Sequence, residues 1–397
     1  MKILFLSRWF PYPANNGSKL RIFNILRGLA RHHELILLSF TDSTITESFP
    51  PELQAICAEI YTVPFQTFNP KSIKARLGWF SLSPRSIVDT YSQEMSEKIK
   101  EIIVSHRPDF IIASQIDTAL YFKSFMEIPA LFEEVENCLL YERYVNSSSM
   151  KDRIRYGLTW LKYSRFLKNL LKGYGACTVV SEREKELLVK MNTGIDAIEV
   201  VPNCINIQDY FGVNEIPQAN ILIFTGSFNY YPNYEAMVWF VNHVFPIIES
   251  QIPDIKLFIT GDHGNRFLSE KSNIVLTGYV KDVKSLIAKS WISVVPILSG
   301  GGTRLKILEA MGLRTPVVTT TKGAEGLSVR NGSNILIGDS PAEFAAHITK
   351  LTNEPAMREE IAKNALQFVR DHYEWSIVLP KILTLIENLP RAKRNYR

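Results

Sequence analysis

Three consecutive glycines stand directly ahead of two basic residues and an acid. Residues 299–311 read SGGGTRLKILEAM and follow a short apolar run. Glycines let backbone N–H groups approach a ligand closely. A helix that begins after them adds free N–H donors and partial positive charge at its first turn. Arg304 and Lys306 add two full charges, so the segment predicts a diphosphate site that also uses N–H groups near Gly302 and Thr303.

Glu309 lies about a turn and a half beyond Arg304 on this predicted helix. Its carboxylate accepts hydrogen bonds, which suits vicinal hydroxyls such as those of a ribose. The competing interpretation is an ordinary surface helix that follows a flexible loop.

Other ligand motifs do not fit the sequence. The P-loop pattern GxxxxGK[ST] is absent, and no GxGxxG follows the first predicted strand. No D-x-D pair or histidine pair has metal-ligand spacing, so neither a metal nor a cofactor is predicted.

Composition limits the class of protein. The chain has 397 residues, of which 46% are hydrophobic, and this excludes a disordered chain, a fibrous repeat and a disulfide scaffold. A net charge of +5 is too small for general nucleic-acid binding. The four cysteines lack ligand or CxxC spacing, which is typical of reduced thiols in the cytoplasm. No apolar run reaches the roughly 18 residues of a membrane span, and the first ten residues predict a strand, not a secretory signal.

Short apolar runs alternate with helical patterns along the whole chain. The predicted strands are residues 2–7, 34–40, 60–65, 110–114, 130–134, 176–181, 198–202, 221–227, 255–261, 274–280, 292–298, 315–320 and 334–338. Because these runs are almost continuously apolar, they predict parallel strands buried on both faces. The alternation predicts an α/β fold with two doubly wound, Rossmann-like domains. We expect domains at residues 1–205 and 206–374, with a last helix in 375–397 that crosses back to the first domain.

Ligands of such sheets bind beyond the carboxyl ends of the strands. Two facing sheets would therefore form a cleft between the domains. Small residues are expected at the strand ends, and the sequence places Gly17, Gly226, Gly261 and Gly278 there.

The order of several motifs resembles glycosyltransferase family 4, the group 1 glycosyltransferases. The donor-site motif is Gly302-x-x-Leu305-x-x-Leu308-Glu309-Ala310-Met311-x-x-x-x-Pro316-Val317-Val318. The others are Phe10-Pro11-x-x-x-x-x-Gly17-x-x-x-Arg21, Val201-Pro202-Asn203, Phe224-x-Gly226-Ser227, Leu276-Thr277-Gly278-Tyr279-Val280 and Gly323-Ala324-Glu325-Gly326-Leu327. The resemblance covers most of the chain and implies a retaining enzyme with two facing Rossmann-like domains of GT-B type.

The resemblance also implies roles for individual residues. Arg304 and Lys306 stabilise the departing diphosphate, Glu309 contacts the ribose, and backbone groups near Tyr279 and Val280 hold the base. Gly17, Gly226, Ser227 and Gly301 complete the donor site together with Glu325, for which a solvated turn residue is the competing interpretation. Protein cations do the work of a metal.

Two departures from the family pattern concern the acids. Gly301 stands where the family has a first glutamate, which positions the donor sugar. The family's histidine after the fourth strand is replaced by Gln115-Ile116-Asp117, so no general base is identified. Asp117 is a candidate, with a helix cap as the competing interpretation.

Two basic stretches with aromatic residues lie in the first half of the chain. Residues 151–172 contain seven basic residues and one acid, interleaved with Tyr156, Trp160, Tyr163 and Phe166, and residues 71–85 form a second patch. One interpretation is contact with an anionic membrane if the two patches share a face. The other is a solvated helix whose aromatic side chains pack on the first domain.

The sequence therefore predicts a retaining glycosyltransferase of cell-surface polysaccharide or glycolipid assembly. Its partners are a nucleotide sugar donor and a glycan or lipid-linked glycan acceptor, with no nucleic acid. We expect it in the cytoplasm, with peripheral contact at the inner membrane face as the alternative location. Alternative functions are a sugar-nucleotide epimerase or hydrolase, and a catalytically silent sugar-nucleotide binder.

Overall fold

The chain divides into two compact units in a computed structural model. The model describes residues 1–14, 16–42, 48–195, 197–264, 266–300 and 303–389. The first unit comprises Met1–Val201 together with the chain from Leu379 onward, and the second comprises Pro202–Val378.

The first unit is built on a seven-stranded parallel sheet with the order β3-β2-β1-β4-β5-β6-β7. Its strands are β1 (Lys2–Ser7), β2 (Glu34–Thr41), β3 (Glu59–Pro64), β4 (Phe110–Ser114), β5 (Ala130–Glu133), β6 (Ala176–Val179) and β7 (Ile198–Val200). In register, Ile3 of β1 pairs with Leu35 on one side and Phe110 on the other. The interior of β1 is fully buried because helices cover both faces of the sheet.

Nine helices of the first unit's described residues connect these strands or cover them. They are α1 (Gly17–Leu29), α2 (Pro51–Gln54), α3 (Ile73–Leu77), α4 (Arg85–Thr90), α5 (Gln93–His106), α6 (Ile116–Ala119), α7 (Cys138–Val145), α8 (Met150–Leu171) and α9 (Glu182–Lys190), with a 3₁₀ turn at Phe122–Ser124. Asn16 and several serines cap their first turns; for example, Ser149 Oγ accepts a hydrogen bond from Asp152 N at 3.0 Å.

The second unit has a six-stranded parallel sheet with the order β10-β9-β8-β11-β12-β13. Its strands are β8 (Gln218–Thr225), β9 (Lys256–Thr260), β10 (Ile274–Gly278), β11 (Ser290–Val295), β12 (Val317–Thr319) and β13 (Leu336–Ile337). The chain order therefore reverses at β8 and β11, where the loops after two adjacent strands diverge.

The helices of the second unit flank this sheet. They are α10 (Tyr231–Trp239), α11 (Phe245–Gln251), α12 (Val283–Lys289), α13 (Leu305–Gly312), α14 (Thr321–Ala324), α15 (Pro341–Asn353) and α16 (Pro355–His372), with a 3₁₀ turn at Ile207–Tyr210; α17 (Trp375–Asn388) begins in this unit. The helical pattern over residues 234–250 is interrupted by a π turn at Phe240–Val244. Pro246 lacks the N–H that would bond the carbonyl of residue 242, which accounts for the interruption.

Each of the thirteen predicted runs contains a strand in the described residues, so the predicted α/β fold with two parallel sheets is confirmed. Several strands end earlier than predicted. In the second unit the chain leaves the sheet near Gly226, Gly261 and Gly278, all of which have positive φ.

Two further findings concern membranes and thiols. None of the described helices combines the length and the apolar character needed to cross a bilayer. All four cysteines lie in the described residues, where they are buried and form no disulfide.

Candidate functional site

Most of the residues predicted to bind a donor lie at one edge of the second sheet. Parallel strands present their carboxyl ends to the same edge, so the loops after β8, β10, β11 and β12 lie there together. These loops contain Gly226 and Ser227, Tyr279 and Val280, Thr303 and Arg304, and Glu325, and α13 adds Lys306 and Glu309. Gly301 and Gly302 lie outside the described residues.

Lys306 is held in the second unit by α10 and β8. Its Nζ donates a hydrogen bond to Asn233 Oδ1 at 2.9 Å and lies 4.1 Å from the ring centroid of Phe224. Gly226 is adjacent, with φ +151°, and a Cβ on it would lie 2.7 Å from both Lys306 Nζ and Asn233 Nδ2. A residue without a side chain is therefore needed where the lysine reaches the end of β8.

Arg304 occupies the N-cap position of α13 and is largely buried. Its Nη2 donates to the carbonyl of Gly300 at 2.8 Å, which fixes the guanidinium against the glycine-rich loop. The neighbouring Thr303 is also buried, and its carbonyl accepts a hydrogen bond from Asn203 Nδ2 at 3.3 Å. Within the described part of the chain, no side chain makes a cap hydrogen bond to α13, so its first N–H groups suit an anion.

The electrostatics of this edge disfavour the charged form of Lys306. Burial and the nearby Arg304 guanidinium lower the pKa of Lys306 to about 7, and Glu309 opposes that effect. Because a bound anion would favour the charged lysine, the two cations form an edge that is suited to negative charge.

Glu309 is positioned by residues near the start of the second unit. Tyr210 donates its hydroxyl to Glu309 Oε1 at 3.2 Å, and Lys284 lies 4.4 Å from the Tyr210 ring centroid. Burial raises the pKa of Glu309, and the hydrogen bond from Tyr210 and the charges of Lys284 and Lys306 oppose this. The sequence analysis did not single out Tyr210 and so missed its role.

Gly226 and Ser227 form a tight turn against the end of β9. Ser227 Oγ donates to the carbonyl of Asp262 at 3.0 Å, and the Ser227 carbonyl accepts from Asn233 Nδ2 at 2.8 Å. A Cβ on Gly261 would lie 2.7–2.8 Å from the Gly226 backbone. The two glycines therefore let adjacent strand ends approach each other closely.

A second carboxylate lies beside the glycine-rich loop and was missed by the sequence analysis. Glu235 of α10 accepts a hydrogen bond from Ser299 Oγ at 2.5 Å through its Oε2. Gly300 has φ +90°, and a Cβ there would lie 2.5 Å from the Tyr230 hydroxyl. The loop is thus packed against α10, and Glu235 precedes Ser299 by 64 residues in the chain.

The remaining predicted residues of the second unit differ in environment. Tyr279 is exposed and Val280 half-buried directly after β10, where no described contact assigns them a role. Glu325 is half-buried and forms an ion pair with Lys322. A carboxylate paired in this way is already partly neutralised.

Gly17 belongs to the first unit, where it is the first residue of α1. The carboxyl edge of that unit's sheet is built around Arg21, four residues later. Arg21 Nε and Nη2 both lie 2.7 Å from Glu133 Oε1, and Arg21 Nη1 donates to the carbonyl of Val201 at 2.9 Å. Ser114 Oγ donates to Glu133 Oε2 at 2.7 Å, so this buried ion pair is compensated within the unit.

Several other carboxyl groups at this first edge resist ionisation. Burial raises the pKa of Glu134 to about 8, and Arg21 only partly opposes it. Burial also raises the pKa of Asp117, with Arg8 opposing. The helix-cap interpretation of Asp117 is wrong, because Gln115 holds the N-cap position of α6 and makes no side-chain cap bond.

A metal centre was not predicted from the sequence. Among the described residues, no three His, Cys, Asp or Glu side chains are grouped so that they could hold a metal ion.

Comparison with known proteins finds a family model that matches most of the second unit. Residues 219–354 match the family model described as glycosyl transferases group 1. The whole chain is similar to an uncharacterized 44.6 kDa protein in the cps region of Klebsiella pneumoniae. The two are 24% identical over 96% of this chain and 98% of that protein.

Solved structures agree on the fold. The chain is similar to Anabaena HepE in complex with UDP and glucose, with TM-score 0.67 and 15% identity over 98% of this chain and 100% of that one. It is also similar to sucrose-phosphate synthase from Thermosynechococcus elongatus, with TM-score 0.69 and 14% identity over 98% of each chain. The chain has the GT-B fold, and its second unit carries a group 1 glycosyl transferase domain, as the motifs predicted.

Proposed function

We propose that this chain is a retaining glycosyltransferase that moves a sugar from a nucleotide diphosphate sugar to a hydroxyl group. The observation that carries the proposal is the placement of Arg304 and Lys306 together at the start of α13, on the carboxyl edge of the second sheet, where burial and the guanidinium also lower the pKa of Lys306. Two cations brought together in a partly buried site are unfavourable until an anion binds. A diphosphate fits, because it provides several oxygens for these cations and for the N–H groups of α13.

The proposed reaction breaks the bond between the anomeric carbon and the diphosphate oxygen. The bond to the acceptor oxygen forms on the same face of the sugar, so configuration is retained. The electron pair of the broken bond stays on the diphosphate, and the acceptor's proton moves to that departing oxygen. Arg304 and Lys306 stabilise the developing negative charge, and removing such a donor typically costs about 3–4 kcal/mol of transition-state stabilisation.

The other residues of the edge bind the rest of the donor in this proposal. Glu309, oriented by Tyr210, accepts hydrogen bonds from the ribose hydroxyls. Backbone groups at Tyr279 and Val280 hold the base, and the turn at Gly226 lets the phosphates approach the sheet. Glu325 is given a smaller role because Lys322 already pairs with it.

Glu235 is a candidate for the sugar-binding acid that Gly301 does not provide. Its carboxylate already accepts a hydrogen bond from Ser299 in the loop that precedes α13. Sugar hydroxyls are similar donors, so Glu235 would orient the transferred sugar. Its loss should lower the turnover rate more than the affinity for the bare nucleotide.

We assign the acceptor to cell-surface polysaccharide or glycolipid assembly. The similar protein of Klebsiella pneumoniae, described by its place in a cps region, supports this assignment. Glu134 at the first unit's edge, whose pKa burial raises to about 8, suits an uncharged hydroxyl acceptor better than an anionic one.

Thermal-shift titration with UDP, GDP, ADP, CMP and their common sugars tests the donor assignment. A donor at 100 times its Kd should stabilise the protein by about 2.7 kcal/mol. The shift should disappear in Glu309→Ala and remain in Glu270→Ala, whose side chain is exposed in a loop. Absence of any shift across the panel would overturn the donor site.

Product analysis then separates a transferase from its alternatives. Incubation of the selected donor with hydroxyl acceptors should give a glycoside of the donor's anomeric configuration, also in the presence of EDTA. Free sugar alone would indicate a hydrolase, an isomerised donor an epimerase, and unchanged donor a silent binder.

A further inference from the structure

The longest helix of the first unit exposes a stripe of aliphatic side chains. On α8, Met150, Ile154, Leu158 and Leu161 are all more than half exposed. Their spacing of three to four residues places them on one face of the helix. The buried side of α8 is formed by Tyr163, Leu167 and Leu171.

The aromatic side chains of α8 are not the source of this exposed surface. Tyr163 is buried, and the ring centroid of Trp160 lies 5.2 Å from that of Tyr141 on α7. These rings pack within the first unit, and the aliphatic stripe faces away from the buried side. A helix that served only to cover the sheet would place polar residues at those positions.

A second exposed apolar group surrounds the end of α3. Ile73, Leu77, Trp79, Phe80 and Leu82 are all more than half exposed, and Phe80 has 91% of its surface accessible. The segment has a defined backbone, because Arg85 Nε donates to the carbonyl of Ala75 at 2.7 Å and stacks 4.3 Å from the Trp79 ring centroid.

Lys162 joins these two groups into one surface. Its Nζ donates to the carbonyl of Trp79 at 2.7 Å, which places the middle of α8 beside the turn that displays Phe80. We call the exposed residues of α3, the turn at 79–82 and the aliphatic stripe of α8 the α3–α8 face. Nine large apolar side chains of this face are accessible in the described first unit.

The charge around the α3–α8 face is strongly positive. Residues 71–85 contain four basic residues and no acid, and residues 151–172 contain seven basic residues and one acid. Their combined charge of +10 exceeds the +5 of the whole chain, so the rest of the protein is net acidic. Basic charge is therefore concentrated where the apolar side chains are exposed.

We propose that the α3–α8 face docks on an anionic lipid surface. The apolar side chains enter the boundary between headgroups and acyl chains, and Arg153, Arg165 and Lys74 remain at the headgroup phosphates. A second copy of this chain is disfavoured as the occupant, because the same basic residues would then oppose one another across a symmetric interface. This inference goes beyond the proposed sugar transfer and does not depend on it.

Sedimentation of the full chain with lipid vesicles tests the proposal. We expect binding to vesicles of phosphatidylglycerol and phosphatidylcholine, weakening in high salt, and little binding to phosphatidylcholine alone. The double variant Phe80→Ser/Leu158→Ser should bind the anionic vesicles at least tenfold more weakly. Val104→Ser provides the control, because Val104 is also more than half exposed and lies on α5 of the same unit.

Charge variants separate electrostatic attraction from insertion. Arg153→Glu and Arg165→Glu should each weaken vesicle binding by about fivefold or more, and Lys100→Glu on α5 should not. Because all of these side chains are exposed, thermal unfolding and nucleotide binding should be unchanged.

Three results would overturn the proposal. The first is no sedimentation with anionic vesicles, and the second is equal binding to neutral vesicles. The third is a vesicle-free dimer, seen by analytical ultracentrifugation, that Phe80→Ser/Leu158→Ser converts to a monomer. That result would assign the face to a second copy of the chain.

Discussion

The buried cations at the carboxyl edges of the two sheets have different electrostatic surroundings. In the first unit, Arg21 pairs with Glu133 at 2.7 Å, and both side chains are almost completely inaccessible. In the second unit, no ion pair within the described part of the chain includes Lys306, and burial beside Arg304 lowers its pKa. The cation of the first edge is neutralised within the unit, whereas at the second edge the Lys306 ammonium is suited to an anionic ligand.

The carboxyl groups at the first edge extend this contrast. Glu134 and Asp117 both have raised pKa values because burial disfavours their charged forms. Such an edge favours neutral hydrogen-bonding groups, and the second edge favours anions. The same type of parallel sheet thus presents two different chemistries, set by which side chains follow the strands.

The largest expected effect is on stability, from breaking the internal pair of the first edge. Glu133→Ala leaves the Arg21 charge buried without its carboxylate and should destabilise the protein by about 3–5 kcal/mol. Lys306→Met, by contrast, removes an unfavourably buried ammonium and should leave the free energy of unfolding unchanged or higher. Urea unfolding followed by circular dichroism measures both.

The double variant Arg21→Met/Glu133→Leu controls for this prediction. It removes both charges and should recover most of the stability lost in Glu133→Ala. Equal losses in Glu133→Ala and Lys306→Met would show that the two edges do not differ in this way.

The next effect is on ligand affinity at the second edge. Lys306→Met removes a charge-assisted contact to the diphosphate, worth about 1.5–3 kcal/mol, so nucleotide affinity should fall about ten- to hundredfold. Isothermal titration calorimetry measures the change. Lys256→Met is the control, because Lys256 is exposed at the opposite, amino-terminal end of β9. If both variants bound nucleotide as the wild type does, Lys306 would have no part in the site.

A further effect concerns the pH dependence of the first edge. The folded pKa of Glu134, about 8, lies above the ordinary value of 4.5, so the folded protein binds more protons between these values. The free energy of unfolding should therefore fall as pH rises from about 4.5 to 8, by at most about 1.4 kcal/mol per pH unit from this residue.

Replacing Glu134 with a neutral isostere should remove this contribution. The stability of Glu134→Gln should increase relative to wild type over the same pH range, whereas exposed Glu127→Gln should show no such trend. Parallel stability curves for wild type and Glu134→Gln would mean that Glu134 ionises normally.

The smallest effect tests the close approach at Gly226. Alanine there would have to displace Lys306 Nζ or Asn233, so nucleotide affinity should fall by about three- to tenfold, or about 1 kcal/mol. Gly332→Ala shares the strain of positive φ but meets no atom within 4 Å, so it should lose stability without losing affinity. Equal affinities in the two variants would remove Gly226 from the site.

The sequence predicted the strands well because local composition determines them. Each strand interior is a short apolar run, and parallel strands buried on both faces need no more than that. The strand ends were less accurate, since in the second unit the chain leaves the sheet near glycines of positive φ, and a backbone conformation of this kind is not evident from apolar composition.

The site was predicted only in the part that is contiguous in sequence. Arg304, Lys306 and Glu309 lie within six residues of one another, and their types suggest a diphosphate and a ribose. Asn233 and Tyr210, which hold two of them, are 73 and 99 residues away from their partners. No local pattern marks such partners, because the topology of the sheet brings them together.

The pairing of Arg21 was missed for the same reason. Arg21 was noted as part of a loop motif, but Glu133 is 112 residues further along the chain. Gly301 and Gly302 lie outside the described residues, so their predicted contacts with the donor stay predictions.

Proton uptake on nucleotide binding tests the central claim most directly. Calorimetric titration with UDP, GDP and ADP at pH 8, in buffers of different ionisation enthalpy, counts the protons that are bound with the nucleotide. Because the free Lys306 is mostly neutral at pH 8 and a diphosphate favours its charged form, binding should take up close to one proton. Lys306→Met should bind weakly and take up none. Tight binding without proton uptake, unchanged in Lys306→Met, would contradict the account of the second edge as an anion site completed by its ligand.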